Sequence, residues 1–228
     1  MTRIPRQSPS APTPRTRPAL RALATAGAVA LAPLSLLACS PTMTTSASPE
    51  YRQNPAPQQA YRLTMRIDDA PGPFGSIVAL AQFDVQNREC LPPPDSNPGG
   101  RQSPVPTMDL EIPLARDADG AWVGTFHTDA MLDEDYHGRG TCVWQWMGTR
   151  VHLRATGADG ETIFLPSLSA HEASPEQTVD FYFLKEGYPQ TSPANYSDLG
   201  IAGRERVPAD LADEALFSIQ LRSEAVRP

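Results

Sequence analysis

The feature that most constrains the fold is the spacing of apolar residues from Tyr61 onward, where they recur at every second position. In the first segment, Leu63 and Ile67 belong to one apolar row, and arginines alternate with them in a second row. A period of two is typical of strands that bury one face, whereas an amphipathic helix needs a period near 3.6. The spacing therefore predicts a half-buried β-strand at the start of the domain.

Further segments of this kind follow at short intervals, and Asp-Gly pairs, which favour hairpin turns, lie between some of them. We predict about nine short strands, centred on residues 61–67, 77–85, 108–114, 122–126, 142–146, 151–155, 163–165, 179–183 and 217–221. The only helical candidate is 209–215, and 91–106 and 185–208 are predicted to be long loops. The pattern predicts an all-β protein, an antiparallel β-sandwich that is immunoglobulin-like or similar.

The first 38 residues have a different composition, with five arginines and no acidic residue. An uncharged apolar run over 22–37 follows the basic part, and it is too short for a comfortable membrane span. It ends in Leu36-Leu37-Ala38-Cys39, which resembles the lipobox of bacterial lipoproteins. The resemblance implies that Cys39 is lipidated and becomes the new N-terminus; the alternative is a cysteine that follows an apolar run by chance.

A lipidated N-terminus anchors a chain to a membrane without spanning it. Ser40, where Asp would favour inner-membrane retention in this class, favours the periplasmic face of the outer membrane. The next residues are rich in Ser, Thr, Pro and Gln, which is typical of a flexible linker. The predicted organisation is therefore a signal peptide (1–38), a lipidated cysteine with a flexible tether (39–60) and a periplasmic domain (61–228).

Cys90 and Cys142 remain once Cys39 carries the lipid. In an oxidising compartment such a pair is expected to form a disulfide. The alternatives are two free thiols or a pair of metal ligands, and no nearby His or Cys spacing fits zinc. We therefore predict a disulfide, and no metal or cofactor.

The charge balance bears on the partner. The chain has 19 basic and 26 acidic residues, and removing the five arginines of the signal peptide leaves 14 against 26, or −12. Nucleic acids select basic surfaces, so this class of partner is disfavoured. A strongly acidic domain favours a basic protein partner, because complementary fields accelerate association.

An acidic loop followed by Tyr136 is the densest charged segment of the domain. It is open to four interpretations: a solvated loop, an anionic docking face, a calcium site, although the ligand spacing is absent, or a pair of catalytic carboxylates. Tyrosines in loops are favoured in binding patches. The predicted partner-binding residues are Asp129, Asp133, Glu134, Asp135, Tyr136, Tyr188 and Tyr196.

Catalytic patterns are missing. The sequence has no nucleophile elbow, zinc-protease helix or phosphate loop, and its four histidines are scattered. The tryptophans lie mostly at alternating strand positions, which favours core packing over an exposed carbohydrate platform. We predict that the protein is not an enzyme, with a lipid-anchored hydrolase as the disfavoured alternative.

The stretch from Asp135 to Trp144, with its pattern Asp-Tyr-His-Gly-x-Gly-x-Cys-x-Trp, completes a recognisable layout with the lipobox, the short tether and the acidic β-domain. The whole resembles small envelope lipoproteins encoded beside secreted antibacterial toxins, which act as immunity proteins. The resemblance implies a stoichiometric inhibitor that binds a toxin in the periplasm and covers its active site. The alternative is a binding or assembly lipoprotein of an envelope or secretion complex.

Overall fold

The computed structural model describes residues 49–94, 103–170 and 176–227. The predicted signal peptide and the predicted lipidation site Cys39 lie outside the described residues. Twelve strands lie in the described part: β1 (Ala60–Asp68), β2 (Ser76–Val85), β3 (Thr107–Ile112), β4 (Ala115–Arg116), β5 (Trp122–His127), β6 (Trp144–Arg154), β7 (Ile163–Phe164), β8 (Ser167–Ser169), β9 (Gln177–Leu184), β10 (Ser197–Asp198), β11 (Ile201–Ala202) and β12 (Leu216–Ala225). Single 3₁₀ turns occupy Arg88–Cys90, Lys185–Gly187, Arg204–Arg206 and Asp213–Ala215.

The strands form two sheets. One has the order β11-β9-β12-β1-β5-β4 and the other the order β10-β7-β6-β2-β3, with β8 also pairing with β6. The described pairs are antiparallel except for β7 and β10, which run parallel over two residues. The predicted all-β sandwich is confirmed, with this one parallel pair added.

The core lies between the sheets and consists of the inward row of each strand. In β2, for example, Ala79, Ala81, Phe83 and Val85 are buried, and the residues between them are more exposed. Of the aromatic residues that the sequence places in the core, Trp144, Trp146, Phe181 and Phe183 are buried, whereas Trp122 is only half-buried. Burial of these side chains supplies most of the stabilisation of such a fold.

β6 is one continuous strand where the sequence predicts two. The register against β2 shifts between Gln82 and Phe83, beside Gly148 of β6. Because this bulge moves the alternation by one position, even-numbered Trp146 and odd-numbered Val151 both face the core. A Cβ on Gly148 would lie 2.5 Å from the carbonyl oxygen of Leu168 in β8, so only glycine fits there.

Two other predictions need correction near the C-terminus. The predicted loop 185–208 contains β10 and β11, which carry the chain from one sheet to the other. These strands are only two residues long and are held by backbone bonds, such as the one from the Leu165 N–H to the carbonyl of Asp198 (2.7 Å). Two residues are too few to show a hydrophobic alternation in the sequence. The predicted helix 209–215 is wrong, because only the 3₁₀ turn Asp213–Ala215 forms there.

The tether prediction is wrong for residues 51–59, which we call the N-terminal strap. Gln53 forms a β-bridge with Met131, and Leu132 donates its N–H to the carbonyl of Arg52 (2.9 Å). These backbone bonds attach the strap to the acidic loop, so composition alone does not decide its conformation. The packed domain therefore begins about ten residues earlier than the hydrophobic alternation indicates.

The predicted disulfide is confirmed. Cys90 and Cys142 are joined by an S–S bond of 2.07 Å with Cα atoms 5.3 Å apart, and both residues are buried. The bridge links the turn after β2 to the segment just before β6. It lies at the same end of the sandwich as the N-terminal strap, and we call this end the disulfide end.

Candidate functional site at the disulfide end

An open groove of about 620 Å³ lies at the disulfide end. Its walls come from four parts of the chain: the N-terminal strap, the loop after β5, the start of β6 and the residue that follows β8. We call it the tryptophan groove, and the lining residues that matter here are Asn54, Gln59, Asp129, Asp133, Trp144, Gln145 and Trp146. The groove is therefore assembled only when the strap is docked.

Asp129 holds the strap in place. The carboxylate of Asp129 accepts hydrogen bonds from the backbone N–H groups of Gln58 (2.8 Å) and Gln59 (3.0 Å). The side-chain amide of Asn54 donates to the main-chain carbonyl oxygen of Asp129 (2.9 Å). Burial acts to raise the pKa of Asp129, but these N–H bonds outweigh it and hold the pKa below its ordinary value. Asp129 is therefore an ionised anchor at the groove wall.

Asp133 and Asp135 shape the loop that follows. One Asp133 oxygen accepts the backbone N–H of Trp144 (2.8 Å), while the residue as a whole is exposed. Asp135 accepts the N–H groups of Arg139 (3.0 Å) and His137 (3.3 Å), which closes the turn. Both carboxylates thus have structural bonds, and Asp133 also faces the groove.

Glu134 is paired with the strap. Its carboxylate accepts two bonds from the guanidinium of Arg52, one of them from Nε at 2.9 Å. The side chains are 58% and 37% exposed, so the pair is a surface ion pair. Pairs of this kind contribute less than about 1 kcal/mol. Of the predicted acidic set, Glu134 is the residue whose charge is most directly neutralised within the chain.

Tyr136 is a packing residue. Its hydroxyl donates to the carbonyl of Leu132 (2.6 Å), and its ring meets Tyr51 of the strap edge-on at 5.1 Å. Tyr51 also contacts the ring of Trp144 at 5.1 Å, and burial raises the pKa of the Tyr51 hydroxyl. Tyr136 therefore contributes to the groove indirectly, because it fixes the strap.

Trp144 and Trp146 form the floor of the groove. They are 8% and 5% exposed, and the ring of Trp146 stacks on Phe126 at 5.6 Å. Both indole N–H groups are buried and find no hydrogen-bond partner within the described ranges. Aromatic side chains beside carboxylates form a site suited to a cationic side chain.

Tyr188 and Tyr196 lie at the opposite end, which we call the distal end. The Tyr188 hydroxyl donates to the carbonyl of Pro73 (2.6 Å), whereas Tyr196 is 46% exposed. The backbone of Tyr196 bonds to Ile163, beside the end of β6, and Trp144 begins that strand. Ten residue steps along β6 correspond to about 30 Å. The predicted partner-binding residues therefore form two clusters, not one surface.

Sequence reasoning missed the strap and the groove floor as site components. Tyr51 and Arg52 interrupt a segment of small polar residues and prolines, and this interruption is the signal that could have identified the strap. The alternation favours core positions for Trp144 and Trp146, because it cannot reveal that a buried row ends at an open groove.

Two further properties bear on the possible chemistry. No group of three or more His, Cys, Asp or Glu side chains in 49–94, 103–170 and 176–227 is placed to hold a metal ion. No helix in that part of the chain is long and apolar enough to cross a bilayer.

Searches against known protein families, characterised proteins and solved structures find no match to this chain.

Proposed function

We propose that the protein is a lipid-anchored periplasmic immunity protein that binds a basic secreted antibacterial effector and blocks its active site. The observation that carries the proposal is the tryptophan groove, where Asp129 and Asp133 stand beside Trp144 and Trp146. The chain from Cys39 onward has 14 basic and 26 acidic residues. An acidic surface with a defined concave site suits a basic protein partner.

The groove supports this function through its chemistry. An arginine or lysine of the effector that enters it meets the carboxylate of Asp133 and the aromatic floor together. A cation over a tryptophan face gains roughly 0.5–2 kcal/mol, with the larger value for a desolvated pair. The overall negative charge adds a faster encounter, which an inhibitor needs when a toxin arrives from a neighbouring cell.

Rigidity also supports the proposal. The carboxylates of Asp129, Asp133 and Asp135 accept backbone N–H groups, so their positions are fixed before a partner arrives. The disulfide fixes the segment that precedes the groove floor. A site ordered in advance loses less entropy on binding, which favours tight inhibition.

The experiment is a competition assay. A strain that lacks this gene is grown beside isogenic neighbours that secrete antibacterial effectors, and its survival is compared with that of its parent. We expect the deletion strain to be killed and a plasmid copy of the gene to restore survival. Equal survival of deletion and parent strains would refute immunity and leave the assembly lipoprotein as the better interpretation.

The groove is tested separately, with Gln145→Lys in the complementing copy. Gln145 is exposed at the groove and its side chain makes no hydrogen bond among the described residues, so the substitution adds charge without removing an internal bond. The matched control is Gln190→Lys, at an exposed position in the distal loop. We expect reduced protection from Gln145→Lys alone, and equal protection by both variants would place the effector elsewhere.

A further inference from the structure

The outer edge of β3 is the second surface of interest. β3 is the last strand of its sheet, and none of the described residues pairs with its free side. An unpaired edge exposes a row of backbone N–H and C=O groups that can bond to an added strand.

The register identifies which backbone groups point to each side. Val85 of β2 donates its N–H to the carbonyl of Pro106, just before β3, at 3.2 Å. The next residue, Gln86, donates to Val143 on the β6 side at 2.8 Å. Because antiparallel strands alternate their bonding direction, odd-numbered residues of β2 bond towards β3 and even-numbered residues towards β6.

The same alternation runs through β3. Met108, the partner of Phe83, directs its backbone N–H and C=O groups towards β2, as do the other even-numbered residues of the strand. The backbone groups of Thr107, Asp109 and Glu111 therefore point to the free edge, and all three residues are exposed. The free edge presents three N–H and three C=O groups in line.

A narrow slot opens beside this edge. It lies between the two sheets, has a volume of about 170 Å³ and is lined in part by Phe83, Leu110 and Phe126. Pro57 of the N-terminal strap contributes to the same slot. A strand added to β3 would turn alternate side chains towards the slot, because side chains alternate between the faces of a sheet.

The opposite face of the edge carries two carboxylates, of which one is unpaired. Glu111 has no hydrogen-bond or ion-pair partner in the described part of the chain, and Asp109 is paired with Arg150. A second copy of this chain, paired edge to edge, would bring no basic side chain opposite Glu111, because the outward residues of β3 are Thr107, Asp109 and Glu111. The charge therefore selects against self-association and in favour of a cationic strand.

We propose that β3 binds an extended segment of a basic protein partner by strand addition, with apolar side chains turned to the slot and basic side chains turned to Glu111 and Asp109. The proposal rests on the proposed function for the identity of the partner as a basic protein. It adds the binding mode, in which backbone bonds give affinity and the alternation of apolar and basic residues gives specificity.

The test uses the full chain as it is processed in cells, purified from envelopes in mild detergent, with amide hydrogen exchange resolved by residue. The probe is a capped peptide of alternating valine and lysine, about eight residues long so that it spans β3. Two control peptides carry glutamate for lysine, or N-methyl groups that remove the backbone donors.

Without peptide, we expect fast exchange at Thr107, Asp109 and Glu111 and slow exchange at Met108 and Leu110. With the valine–lysine peptide, the three outward amides should gain at least tenfold protection, and neither control peptide should protect them. Slow exchange of these amides in the free protein, equal protection by the N-methylated peptide, or protection that rises with protein concentration alone would overturn the proposal.

Two variants test the backbone N–H of Glu111 and its side-chain charge separately. Glu111→Pro removes an outward N–H that β2 does not use, and it should abolish peptide binding; Glu111→Gln keeps that N–H and should weaken binding severalfold. Effector binding that survives Glu111→Pro would refute strand addition and leave immunity intact. Peptide binding in a protein that gives no immunity would refute the proposed function and leave the edge site intact.

Discussion

The two ends of the sandwich are stabilised by different means. At the disulfide end, the N-terminal strap is attached by backbone bonds, by the carboxylate of Asp129 and by the ring of Tyr51, and the Cys90–Cys142 bridge joins the turn after β2 to the segment before β6. At the distal end, Phe164 lies among the rings of Phe74, Phe183 and Phe217 at 5.3–5.7 Å.

The difference shows where a binding site can be built. Polar and covalent bonds fix surface groups in defined positions, so the disulfide end has an ordered open groove. At the distal end the phenylalanine cluster is enclosed, and the polar bonds of Glu161 are made within the fold. The comparison can be tested by removing one interaction type at a time at each end.

The largest loss is expected from Phe164→Ala at the distal end. Phe164 is 0% exposed and contacts three other rings, so truncation leaves a large cavity. We expect the free energy of unfolding to fall by about 5 kcal/mol, the upper end for buried phenylalanine. Urea denaturation measures the change, with Phe164→Leu as the control that retains most of the volume. A loss below about 1 kcal/mol would mean that packing does not hold this end.

The next largest loss is expected from opening the disulfide with Cys90→Ser and Cys142→Ser together. The bridge spans 52 residues, and the chain-entropy model gives up to about 4 kcal/mol for a loop of that length. We expect the free energy of unfolding to fall by about 3 kcal/mol in denaturation experiments, since residual structure in the unfolded chain reduces the stabilisation by the disulfide. The reduced wild-type protein is the control and should match the variant. Unchanged stability in both would show that the strap alone orders this end.

A smaller effect is expected from Trp146→Phe at the groove floor. The indole N–H of Trp146 is buried and has no partner among the described residues, so its removal relieves an unsatisfied donor. This gain offsets part of the lost apolar contact, and we expect a net change within about 1 kcal/mol. Trp146→Ala is the comparison and should cost several times more. A loss for Trp146→Phe as large as for alanine would show that the N–H has a partner, such as an ordered water.

The sequence predicted the parts of this fold that depend on one strand and its two faces. Alternation located β1, β2, β5, β9 and β12 closely, and the cysteine count predicted the bridge. It could not predict that β6 is continuous, since the bulge at Gly148 shifts the period and imitates a strand break.

The candidate site was predicted only in part. The charge of Asp129 and Asp133 identifies two residues that line the groove, but it does not predict their bonds to the backbone of the strap and of β6. Which backbone amide meets a side chain depends on tertiary contacts between segments about 70 residues apart. Local sequence patterns carry no information on such pairs. For the same reason they do not show that Tyr188 and Tyr196 lie at the opposite end of β6 from the acidic loop.

Acid should weaken both ends through carboxylates that accept N–H bonds. At the distal end, Glu161 accepts the hydroxyl of Thr156 (2.6 Å) and the N–H groups of Thr156 (2.9 Å) and Gly157 (3.0 Å). These bonds hold the pKa of Glu161 below its ordinary 4.5, as backbone bonds hold the pKa of Asp129 below 3.8.

A lowered carboxyl pKa stabilises the fold above the unfolded value and loses that contribution as pH falls through the folded value. We therefore expect the loss from Glu161 to begin near pH 4.5 and that from Asp129 to begin below pH 3.8. Denaturation midpoints measured across this range should depend less on pH in Glu161→Gln and in Asp129→Asn than in the parent. Asp159→Asn, at an exposed neighbouring position, is the control, and an identical pH dependence in all four proteins would contradict the assignment.

The smallest effect is expected from the ion pair between Arg52 and Glu134, although it is the most visible contact between the strap and the acidic loop. Both side chains are substantially exposed, so water and salt screen the attraction, and a double-mutant cycle with Arg52→Ala and Glu134→Ala should give only a small coupling. High salt should reduce the coupling further. A coupling as large as the loss from opening the disulfide would show that the pair is desolvated. Electrostatics, rather than the Asp129 anchor and the packing of Tyr51, would then hold the strap over the groove.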